Sequence, residues 1–225
     1  MVCLQEPAEP WMETKEIQIK TLLISIASII ITEVAHTVVV SKGLSYPLII
    51  LGAARFLEIV LVILVVIIWG RGLTSIGLGR GTLVPGLKKG LIWSVYFGIF
   101  ASFALLLLSV VGINGPQLIR AQLPSTPCET VLFFLVGGIV GPIAEELFFR
   151  GMLYGFFRRW GAMVALVVST LVFVLIHPLK SGFPATQVVG GILFAISYEV
   201  GSSLVVPITI HALGNMAIFT LSLLY

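Results

Sequence analysis

Two apolar stretches, residues 17–40 and 46–69, are separated only by a short turn around Ser41, Lys42 and Gly43. Each matches the roughly 20 residues that a helix needs to cross a bilayer core. In hydrocarbon the backbone must satisfy its own N–H and C=O groups, so such stretches fold as membrane helices packed against one another. The remaining sequence repeats the pattern. Apolar runs recur at about 91–111, 129–158, 163–177, 185–200 and 204–225. Charged residues make up only 10% of the chain, against about 25% in a soluble domain. The expected fold class is all-α, a polytopic transmembrane helical bundle of about seven spans, six to eight at the limits.

Residues 1–16 read as a polar N-terminal arm, acidic through Glu6, Glu9, Glu13 and Glu16, without the order of a cleaved signal peptide. Residues 17–225 read as a single integral-membrane domain. Glycines punctuate residues 70–90, and Arg71, Arg80, Lys88 and Lys89 make that stretch the most basic one. It reads as an interfacial loop with a short amphipathic piece. Placing this loop inside divides the basic residues flanking the spans eight to three, with the N-terminus in and the C-terminus out. The net charge is only +3, with no basic run suited to nucleic acid. Cys3 and Cys128 form no disulfide framework.

The informative residues are the ionisable ones inside the spans, each costing about 3 kcal/mol at a helix centre. Glu33 and His36 in the first span, and Arg55 and Glu58 in the second, are spaced i,i+3. Both pairs read as structural. The segment from Gly141 through Gly151 carries Glu145, Glu146 and Arg150 in an otherwise lipid-compatible run. Adjacent helical residues point about 100° apart, so the two glutamates face different ways. Glu146 and Arg150, i,i+4, can pair. Glu145 is left without a local partner, the condition under which a carboxylate serves as a base.

Gly161 marks a turn between two apolar runs. Glu145 and His177 are each sixteen residues from it on opposite arms, so a hairpin brings them to equal depth. Phe173, one turn before His177, can wall the imidazole. His211 and Asn215 are i,i+4 on the last span and project from one face. Both can donate toward a developing oxyanion. Counting from the turns, however, places Glu145 deeper than His211, which requires a tilted or broken helix near Gly141 and Pro142 or near Gly214.

The order Glu145-Glu146-x-x-x-Arg150, Phe173-x-x-x-His177, His211-x-x-x-Asn215 resembles the CPBP family: type II CAAX prenyl endopeptidases and Abi-type, bacteriocin-processing intramembrane proteases. The resemblance extends over about residues 85–225. It implies a helical bundle around a lipid- and water-accessible cavity where a peptide bond is hydrolysed. Glu145 and His177 would activate the water. His211 and Asn215 would hold the oxyanion, and Glu146, Arg150 and Phe173 would support the site. It further implies a peptide or protein substrate, either prenylated or of the bacteriocin or pheromone kind, and a multi-pass location in a bilayer, taken as the plasma membrane of a prokaryote. Family members have been described as metalloproteases, and Glu145, His177 and His211 would be the Zn²⁺ ligands. The chain lacks His-Glu-x-x-His, and a glutamate-type hydrolase without metal is the favoured reading. The competing readings are a non-catalytic immunity or scaffold protein, and a transporter using the same charges as an ion route.

Overall fold

The computed structural model describes residues 17–43, 46–177 and 184–224. The acidic arm, Cys3 and the loop around Lys180 lie outside the described residues. Eight helices account for most of the rest: α1 (Ile19–Ser41), α2 (Pro47–Ile68), α3 (Arg80–Val110), the short α4 (Gly115–Ile119), α5 (Pro127–Trp160), α6 (Ala162–Ile176), α7 (Ala185–Gly201) and α8 (Val205–Ser222). No strand occurs among the described residues. Helices α1, α2, α3, α5 and α8 are long and apolar enough to cross a membrane, while α6 and α7 are shorter apolar helices. Large side chains on the outer faces stay exposed, among them Phe56, Tyr96, Phe100 and Leu175. Hydrocarbon covers such surface at no hydrophobic cost.

One expectation needs correction. Residues 80–90 are not loop but the first turns of α3, and only Leu73–Ile76 forms a short 3₁₀ piece. Glycine is a poor helix former, but here it serves packing. A Cβ on Gly86 would meet the Ser203 side chain at 2.4 Å, and one on Gly90 would meet Thr209 at 2.7 Å. The two glycines let α3 and α8 approach closely, as small residues do between membrane helices. The connection at 112–127 also holds the short α4, capped by Asn114 accepting from the Gln117 N–H.

The turn between α7 and α8 is drawn into the protein. Gly201, Ser203 and Leu204 are buried, and Ser202 takes a left-handed conformation to close α7. The Leu204 N–H donates to the Gly77 carbonyl, and the Ser203 hydroxyl to the Thr82 carbonyl. Because α8 starts beneath the residues that follow α2, a position few turns along it reaches the depth of α5's middle. On the same side of the bundle Arg158 clasps the Glu199 carboxylate, which also accepts from the Tyr154 hydroxyl at 2.7 Å.

Candidate active site

Helix α5 carries two π-helical segments, Val136–Val140 and Leu147–Tyr154, flanking the α-helical turn Gly141–Glu146. The first has a visible cause. Pro142 has no N–H to give the preceding turn. The Gly141 N–H reaches five residues back to the Val136 carbonyl. That leaves the Gly137 carbonyl without a backbone donor, and Asn215 Nδ2 donates to it at 2.8 Å. π-Segments of this kind occur often at functional sites. Here the two widened turns bracket both glutamates.

Glu146 and Arg150 are completely buried, with Arg150 Nη1 3.0 Å from Glu146 Oε1. The same oxygen accepts from His211 Nδ1 at 2.8 Å. Arg150 Nη2 donates to the Gly191 carbonyl of α7 at 3.0 Å. The guanidinium faces the rings of Phe173, Phe194 and Phe149 at 5.0, 5.2 and 5.7 Å. Three aromatic faces around a desolvated cation add attraction of about 2 kcal/mol per well-placed ring. One buried ion pair thereby joins α5, α7 and α8, with the α6 residue Phe173 against it.

Glu145 faces the other way. Its side chain keeps 23% exposure, and Oε2 has no hydrogen-bond partner. His177 Nε2 and His211 Nε2 each lie 3.9 Å from that oxygen. Both rings are held by their other nitrogen. His177 Nδ1 is 2.6 Å from the Phe173 carbonyl and His211 Nδ1 is bound to Glu146. Since a carbonyl and a carboxylate can only accept, both Nδ1 atoms carry protons. The His177 arrangement follows from sequence. The residue before a proline is driven to extended backbone, and His177 at φ −81°, ψ 143° ends α6 there. Its imidazole then caps the Phe173 carbonyl that the ended helix leaves free. Phe173 also packs on this ring at 4.5 Å, and Phe194 stacks on His211 at 4.4 Å with an 18° interplanar angle.

The structure thus brings Glu145, His177 and His211 to one point and places Glu146, Arg150 and Phe173 behind them. Asn215 is one turn along α8 from His211, with one amide N–H committed to Gly137. Sequence reasoning missed Phe194, the Gly191 carbonyl and the link from Glu146 to His211. The glycine pair Gly190-Gly191 was the available signal, since a Cβ on Gly191 would meet Thr170 at 2.8 Å. A tetrahedral Zn²⁺ with ligands at about 2.0–2.1 Å holds its donor atoms about 3.3 Å apart. Donors 3.9 Å from Glu145 Oε2 are wider than that. Among the described residues no group of three His, Cys, Asp or Glu is spaced to hold a metal ion.

Residues 127–217 match the family described as Type II CAAX prenyl endopeptidase Rce1-like. The match covers all three motifs, running from the start of α5 into α8, and leaves α1 to α3 outside it. No curated protein and no solved structure matches the chain. The match supports, at the level of that family, an endopeptidase activity on a peptide or protein, and the all-α bundle with five helices long and apolar enough to cross a membrane is in keeping with it.

Proposed function

We propose that the chain is a glutamate-type intramembrane protease in which Glu145 and His177 activate water without a metal ion. The observation that carries this is the pair of imidazole Nε2 atoms turned on one unpartnered carboxylate oxygen. At 3.9 Å these groups are too far apart to bond one another. One water oxygen can reach both, because each hydrogen bond spans about 2.8 Å. That water donates one proton toward Glu145 and the other toward His177 Nε2. As it attacks the scissile carbonyl carbon, its first proton passes to Glu145. Glu145 then returns that proton to the leaving amine as the C–N bond breaks, so the cycle is balanced.

The carbonyl oxygen becomes an oxyanion next to His211. With Nδ1–H given to Glu146, His211 offers a second N–H at Nε2 only as an imidazolium. The Glu146 and Glu145 carboxylates supply the counter-charge. Counting Glu145, Glu146, Arg150 and a protonated His211 gives a neutral buried group, the condition under which charges persist in low dielectric. The second amide N–H of Asn215 completes the oxyanion contact. Glu146, Arg150 and Phe173 hold His211 and His177 in these orientations. The substrate is a membrane-associated peptide, prenylated or of the bacteriocin or pheromone kind, and the setting is a prokaryotic plasma membrane.

The test is cleavage of a peptide library by the purified protein in nanodiscs, with Glu145→Gln as control and metal content measured alongside. Cleavage that the control lacks, persisting without stoichiometric metal, is the expected result. Equal cleavage by Glu145→Gln sinks the assignment, and activity that tracks bound zinc sinks the metal-free mechanism.

A further inference from the structure

The first two spans, outside the family-matched segment, hold charges that the reaction above does not use. Near the middle of α1 and α2, Arg55 Nη1 lies 2.6 Å from Glu33 Oε1 and 2.7 Å from Glu58 Oε2. The two i,i+3 pairs read from the sequence are therefore one cluster spanning two helices, with His36 Nδ1 3.7 Å from Glu33 Oε2. One guanidinium faces two carboxyl groups, so the cluster holds more acids than permanent cations. Glu58 is only 3% exposed, and its Oε1 has no donor. Glu33 keeps 38% of its side chain exposed. A carboxylate exposed at mid-membrane depth belongs in a water-filled cavity and not in lipid.

Through α2 the cluster lies on the Glu145 side of the bundle. Helix α2 packs against Gly141–Glu146. A Cβ on Gly52 would meet Val136 at 2.9 Å, which fixes the register of α2 on α5 and brings Arg55 and Glu58 toward the level of Glu145. Glu145 also interacts electrostatically with both Arg55 and Glu58.

Taking the catalytic reading above as its basis, we propose that Glu33, Arg55 and Glu58 form a recognition subsite for a basic side chain of the peptide substrate, beside the scissile bond. The sign of the charge decides between ligands. Arg55 leaves Nε and Nη2 without partners among the described residues, and a substrate carboxylate would match that fork. It would, however, meet two carboxylates held by a single cation, with Glu145 beyond them. An ammonium or guanidinium supplies instead the donor that buried Glu58 Oε1 lacks and brings the two acids a second cation. The protein as a whole carries +3, so its overall charge works against such a preference, and any that is measured is local.

The experiment measures binding separately from cleavage. Three labelled apolar peptides, acetylated and amidated at their ends, differ only at a central Lys, norleucine or Glu. Their affinities are measured on Glu145→Gln protein in nanodiscs of zwitterionic lipid. The Lys peptide is expected to bind about fivefold tighter than the norleucine peptide, in keeping with a partly exposed ion pair of up to about 1 kcal/mol. Glu33→Gln, which leaves Arg55 paired with Glu58, should remove the preference, and Glu33→Lys should invert it toward the Glu peptide. Equal affinity for Lys and norleucine, or tighter binding of the Glu peptide by Glu145→Gln protein with no further change, overturns the subsite. The peptide comparison needs no folding of a further variant. If the Lys preference stands while wild-type protein cleaves none of the three, the protease reading fails and the subsite does not.

Discussion

Glu145 and Glu146 are adjacent in the chain, yet the first keeps 23% of its side chain exposed and the second none. Glu146 is within 3.0 Å of both Arg150 and His211, whereas Glu145 Oε2 has no hydrogen-bond partner and its two imidazole neighbours stand at 3.9 Å. A rotation of about 100° per residue turns one peptide bond into two environments. The locked carboxylate fixes the geometry of the site. The other is the carboxylate proposed above to take the substrate water. The same division recurs between regions. The α5 to α8 ion pair is sealed by aromatic rings, while the α1 to α2 cluster is left half open with more acids than permanent cations.

The largest effect that would break this comparison is loss of activity with unchanged folding. Glu145→Gln should lower turnover about 10⁴-fold, the upper range for a general base, while thermal unfolding of the purified protein stays the same. A parallel fall in melting temperature would mean that the two glutamates share one structural job. Next comes Glu146→Ala, which strips the carboxylate from a fully buried arginine. It should cost about 3–5 kcal/mol of stability, seen as lost yield and early unfolding in a detergent melt. A stable, fully folded Glu146→Ala protein would contradict the lock. Asn215→Ala should cost about 1–3 kcal/mol, because it leaves the Gly137 carbonyl unpaired. Asn215→Asp, which brings acceptors in place of the amide N–H, should not restore it. At the small end, Glu33→Gln should change stability by less than about 1 kcal/mol, since this carboxylate is half exposed and Arg55 retains Glu58. Unfolding curves of the two proteins should nearly overlay.

Much of this was legible in the sequence because apolar run lengths and residue spacing are local quantities. Residues 17–40 and 46–69 foretold α1 and α2 to within two residues at each end. Counting from Gly161 gave the depth at which Glu145 and His177 meet. What escaped depended on which helices become neighbours. Gly86 and Gly90 looked like breaks until Ser203 and Thr209 packed against them. Glu33 and Arg55 looked like members of separate pairs, because nothing in either span says that α1 lies against α2 at that register. The depth mismatch between Glu145 and His211 was read correctly as a problem. The inward-drawn α7 to α8 turn and the widened turns of α5 on either side of Gly141–Glu146 bear on it.

That inward-drawn turn also sets an order of events during synthesis. The Leu204 N–H finds its acceptor on Gly77, made more than a hundred residues earlier. His211 and Asn215 follow later still, in α8. Until then, Glu146 has only Arg150 beside it, and the Gly137 carbonyl has no donor. The nascent protein can insert every span up to α7 and still hold this cluster unassembled. The cluster of Glu145, His177 and His211 is thus complete only once α8 has been made, and a chain cut short before residue 211 lacks it.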